Sequence, residues 1–151
     1  MNTALFEKLI NDYNRLSFTH KYIFGFNYKG TIYMVFTTAS VLPYVLTLDK
    51  ASRNSGYSIR FSPTNKQKEY LLAKGAKAVS STIFFDEITS ASIYNRGEMF
   101  EKMVYDMFGQ EWKKDNVPFT KAGDIMINNV HYQIKFEKAT FINEKTLSRL
   151  G

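Results

Sequence analysis

Apolar positions change their spacing several times along the chain, and each change marks an element. Leu5, Phe6, Leu9, Ile10, Tyr13 and Leu16 recur at helical spacing, so residues 3–16 predict an amphipathic helix with one face for a core. Residues 21–37 then read as two strands, KYIFGFNY and TIYMVFT, rich in aromatic and β-branched residues around a Lys29-Gly30 turn. Shorter strands are expected at 44–48 (YVLTL) and 57–61 (YSIRF), linked by the polar, basic loop DKASRNSG. Residues 64–74 predict a helix that starts at a Thr64 cap and ends before Gly75. Between 76 and 94 the one clear apolar run is IFF at 83–85. Met99, Phe100, Met103, Val104, Met107 and Phe108 then form the apolar face of a helix over 95–109, with Asn95 placed to cap it and Gly109 to stop it. A short helix is expected from Asn143 to Leu150. Helix, antiparallel strands, two helices, hairpin and short helix in that order give the α+β class.

Between the last two helices lies AGDIMINNVHYQIKF, residues 122–136. Asn128-Asn129 suits a two-residue turn because Asn tolerates positive φ. Counting outwards from that turn sets Ile127 opposite Val130, Met126 opposite His131, Ile125 opposite Tyr132 and Asp124 opposite Gln133. Side chains alternate with period 2. One face then holds Ile125, Ile127, Val130, Tyr132, Ile134 and Phe136. The other holds Asp124, Met126, His131, Gln133 and Lys135. Directly opposed Cβ atoms lie ~4.5–5.5 Å apart and diagonal neighbours ~7–8 Å apart. A carboxylate, an amide oxygen and an ammonium are therefore expected to converge at one end of the hairpin. Hard divalent cations take such oxygen ligands, and a neighbouring lysine can steer a water or stabilise phosphoryl charge.

Composition narrows the chemistry. At 151 residues the chain fits one domain. It has no Cys, which excludes a disulfide scaffold, a thiolate zinc site and a cysteine nucleophile. His20 and His131 are its two histidines, too few for an ordinary protein zinc site. There is no nucleophile-elbow motif and no Gly-rich phosphate loop. With no long apolar run and no basic leader, the expectation is a cytoplasmic protein that does not engage membranes. The net charge of +6 is uneven. Residues 1–75 hold ten basic and four acidic residues, whereas residues 76–151 hold ten of each. A basic half beside a neutral half points to a polyanionic partner. Lys50, Arg53, Arg60, Lys66, Lys68 and Lys74 are the expected phosphate contacts, since loop and helix cations can track a backbone. The row Tyr22, Phe24, Phe26 and Tyr28 could stack bases, but packing against helix 3–16 is the stronger expectation.

The last third resembles the PD-(D/E)XK nuclease superfamily. Glu98 in a helix, Gly123-Asp124 opening a strand and Gln133-Ile134-Lys135 on the next strand carry the resemblance, and the Gln-x-Lys form is similar to Mrr-like restriction enzymes. It covers residues ~95–150 in architecture. It implies a restriction-endonuclease-like αβββα core over 95–151 with a shortened C-terminus, joined to a basic helix-plus-β-meander region over 1–94. The strand that the family core carries after the Lys would come from that meander or from a partner subunit. The resemblance makes Asp124 the central ligand of Mg²⁺ or Mn²⁺. Gln133 would add an amide oxygen, Ile134 its backbone carbonyl, and Glu98 an acid near the metal. Lys135 would act on the attacking water. The substrate would be nucleic acid, most readily DNA, and cutting both strands would imply a homodimer. Two other readings stay open at this level: an inactive nuclease-like module that binds nucleic acid or a nucleic-acid enzyme, and a scaffold with a solvated hairpin face. In the latter, Glu98 closes a capping box and Lys135 protects a strand edge.

Overall fold

The computed structural model describes residues 3–42, 45–47, 58–80, 96–112 and 125–143. The first helix, α1 (Thr3–Thr19), leads into the hairpin β1 (Lys21–Tyr28) and β2 (Thr31–Thr38). Lys29 at φ 51° and Gly30 at φ 85° form its turn, which needs positive φ at both positions. Next come β3 (Val45–Thr47), β4 (Ser58–Phe61), α2 (Asn65–Ala73) and the two-residue β5 (Lys77–Ala78). Thr64 caps α2 through a reciprocal pair, accepting from the Gln67 amide while the Gln67 side chain accepts from Thr64 N–H. The remaining elements are α3 (Arg96–Met107), β6 (Ile125–Ile127), β7 (Val130–Phe136) and β8 (Ala139–Asn143). The α+β class is observed. Residues 83–85 and the expected helix beyond Asn143 lie outside the described residues. Asn143 itself ends a strand, not a helix, because ATFIN pairs with β4.

Two sheets form among the described residues. The larger has the order β5-β2-β1-β7-β6, the smaller β3-β4-β8. In the larger sheet β1 and β7 run parallel, with Tyr22 beside Gln133, Ile23 beside Ile134, Phe24 beside Lys135 and Gly25 beside Phe136. β1 and β7 lie on either side of residue 94 in the chain, yet they are sheet neighbours.

β1 is central, and its side chains feed two cores. Tyr22, Phe24 and Phe26 point to the face covered by α1, α2 and the small sheet, where they meet Leu9, Tyr13, Leu16, Leu71, Phe61 and Phe141. Phe24 stands 5.0 Å from Phe61, and Tyr22 meets Phe141 edge-on at 5.0 Å. The aromatic row therefore packs against helix α1 and is closed to bases. Ile23 points the other way and joins Met34, Ile125 and Ile134 beneath Phe100, Val104 and Tyr105 of α3. Each fully buried side chain of this size contributes about 1.5–3 kcal/mol.

Gly25 makes room on β1 for the Phe100 ring of α3. A Cβ there would clash with the Cζ end of the Phe100 ring, and that ring also lies 5.1 Å from the Phe136 ring. Gly25→Ala is expected to destabilise the protein by about 1–3 kcal/mol through overpacking, a loss seen as a lower urea midpoint. Adding Phe100→Leu to that variant should recover part of the loss, which a structural effect unrelated to this contact would not allow.

Candidate functional site

The hairpin β6–β7 takes the expected register. Asn128 and Asn129 both have positive φ, 51° and 66°, and Ile125, Met126 and Ile127 pair with Tyr132, His131 and Val130. Its apolar face lies on the α3 side, where Ile125 and Ile134 are buried. Met126 and His131 are exposed on the opposite face near the turn. Gln133 and Lys135 alternate onto that same face and are half-buried beside Tyr22 and Phe24 of β1. The buried aromatic cluster thus forms one wall beside the amide and the ammonium.

Lys135 has a defined direction. Its Nζ donates to the Thr140 carbonyl of β8 at 3.0 Å. Arg60 of β4, which pairs with Thr140, donates through Nε to the Thr140 hydroxyl at 3.3 Å. Two cations thus meet one residue of the small sheet. Tyr22, next to Gln133, has its phenol pushed up to about 12 by burial. It stays protonated at neutral pH and is not a base.

Asp124 lies outside the described residues. Ile134 turns its side chain into the α3-side core while its backbone stays in the strand between Gln133 and Lys135. Glu98 is half-buried in the first turn of α3, the helix packed on the sheet face opposite Gln133 and Lys135. Among the described residues no three acidic or imidazole side chains group as metal ligands.

Of the expected phosphate contacts, Lys50 and Arg53 lie outside the described residues. Lys66 and Lys74 are exposed on α2 and at its C-cap, whereas Arg60 is half-buried against Thr140. Lys68 turns inwards. Its Nζ donates to the Asn27 carbonyl at 2.6 Å and lies 4.0 Å from the Glu137 carboxylate. Glu137 in turn accepts from Asn27 N–H at 2.8 Å, and its own N–H donates to Gly25 O at 2.8 Å. With φ at 46°, Glu137 ends β7 and turns the chain towards β8. The sequence held a sign of this corner, because Glu137 falls on the apolar side if the alternation of β7 continues. Nothing in the helix pattern marked Lys68 as its partner.

The chain matches no protein-family model, no curated protein and no solved structure. Its functional reading therefore rests on its own residues and their geometry.

Glu137→Ala would leave the Asn27 N–H without its acceptor and take the nearby carboxylate from the Lys68 ammonium, which keeps the Asn27 carbonyl. It should cost about 1–3 kcal/mol in urea unfolding, with Glu137→Gln closer to wild type because it keeps an acceptor oxygen. Equal losses in the two variants would show that the amide contact at Asn27 does not govern the corner.

Proposed function

We propose that the protein is a metal-dependent nuclease of PD-(D/E)XK type that hydrolyses phosphodiester bonds, with DNA as the first substrate to test. The observation that carries this reading is the side-by-side placement of Gln133 and Lys135 on one half-buried face of β7. They stand in a hairpin whose described register is the one from which Asp124 is counted opposite Gln133. A carboxylate, an amide oxygen and a main-chain carbonyl form an all-oxygen donor set, which suits Mg²⁺ or Mn²⁺. Bound there, such an ion would supply Lewis acidity towards a phosphate oxygen and lower the pKa of a water.

The chain's own residues do the rest. The Thr140 carbonyl holds the Lys135 ammonium in one direction, so its charge is preorganised towards an incoming phosphate. Arg60, held on the Thr140 hydroxyl, adds a second positive charge nearby. Tyr22 and Phe24 keep the inner side of the strand dry, where such charges act more strongly. In the restriction-endonuclease-like reading, β1 takes the place of the strand that would follow Lys135.

A second reading, a nuclease-like module that binds nucleic acid without cutting it, is favoured by the position of Glu98 on the far side of the sheet. Incubation with plasmid and single-stranded DNA in Mg²⁺, Mn²⁺ or EDTA separates the two. Cleavage should need the metal and fall about 10²–10³-fold in Lys135→Ala, the usual loss for a preorganised charge-stabilising donor. Asp124→Ala should abolish it. DNA retarded on a gel but left intact under every condition would select the second reading. Cleavage that survives both substitutions would remove β7 from the chemistry.

A further inference from the structure

The excess charge of the first half has an exposed counterpart apart from Gln133 and Lys135. On α2, Lys66, Tyr70 and the C-cap residue Lys74 follow at four-residue steps and so form one stripe of the helix, about 12 Å long at 1.5 Å per residue. Tyr70 is 43% exposed, and the Lys74 ammonium lies 5.5 Å from its ring. The stripe borders two hollows that share Val41. One, of about 390 Å³, is lined by Ser40, Val41, Lys66, Gln67 and Tyr70. The other, of about 360 Å³, continues across the start of β1 and the end of β2 and includes Lys21, Phe36, Thr38, Val41, Lys74 and Tyr132. Phe36 is 44% exposed there. Among the described residues no acidic side chain lines either hollow.

We propose that this trough binds a single-stranded nucleic-acid segment, with phosphates on Lys21, Lys66 and Lys74 and a base on Tyr70. Three cations along a concave path match the charge and continuity of a phosphodiester backbone. An exposed ring beside an ammonium offers a base and its phosphate what each needs. A duplex hides its base faces in the stack, so an open aromatic face favours an unpaired strand. The lining is concave and carries Thr38, Ser40 and Gln67, which does not suit insertion into lipid. Tyr132, the β7 residue that lines the trough, faces the α3 side of the sheet, opposite Gln133. Binding in the trough needs no metal and stands apart from cleavage at β7.

The test is fluorescence anisotropy in EDTA, with labelled oligothymidylate and a hairpin duplex of equal length as probes. The single strand should bind more tightly than the duplex. Tyr70→Ala should weaken single-strand binding about 5- to 150-fold, the range for loss of one base–aromatic stack. Lys66→Gln with Lys74→Gln should lower the slope of log affinity against log salt by about 1.4. Thermal unfolding of each variant at the wild-type temperature shows that the fold is kept, as expected for exposed residues. Absence of single-strand binding, tighter binding of the duplex, or affinities unchanged by these substitutions would overturn the proposal. So would variant-sensitive binding to phosphatidylserine vesicles with none to the oligonucleotide.

Discussion

The parallel pairing of β1 with β7 is the constraint on which the rest of the fold depends. A parallel pair needs a long crossover, and here about a hundred residues separate the partners. The pairing closes a sheet from strands near both ends of the described chain. It also makes β1 an interior strand, and with α1, α2 and the small sheet on one face and α3 on the other the run from Tyr22 to Phe26 is buried throughout. Even-numbered aromatics fill the core under α1, and Ile23 fills the core under α3. Gly25 admits the Phe100 ring, so a single missing side chain sets how closely α3 approaches the sheet. The Glu137 corner fastens the same junction through hydrogen bonds to Gly25 and Asn27.

That pairing also gives β7 its two characters. One edge of its side chains joins the α3-side core. The other, with Gln133 and Lys135, lies against the aromatic cluster of β1 and under the small sheet. A polar pair in such a place is half-buried, and the Thr140 carbonyl fixes the direction of Lys135. Holding Lys135 on a backbone carbonyl costs that ammonium part of its hydration, which the hydrogen bond offsets.

Local patterns were legible because local physics sets them. The Asn128-Asn129 turn fixed the β6–β7 register, and the Thr64 and Gln67 side chains fixed the start of α2. The apolar stripe of α3 identified Met99, Phe100, Met103 and Val104 as buried but missed Tyr105, which is buried with them. Long-range choices were not legible in the same way. The aromatic row marked β1 as a strand packed against helix 3–16 but did not name β7 as its neighbour. ATFIN has the β-branched and aromatic content of a strand, yet the expected short helix displaced it at Asn143. Lys68 sits in a basic helix and looks like a phosphate contact until its ammonium is found at Asn27 and Glu137. For the site, Gln133 and Lys135 could be put on one face from alternation alone. The side of the sheet taken by the Glu98 helix depended on tertiary packing that no spacing encodes.

The most direct measurement is a titration of the protein with Mn²⁺, followed by paramagnetic broadening in an assigned amide NMR spectrum. If the metal is held on the polar face of β7, signals of residues 132–136 and of Tyr22 to Gly25 broaden first, and Asp124→Ala removes the effect. Broadening centred elsewhere, or none above that of the Asp124→Ala variant, would contradict a metal site on this strand.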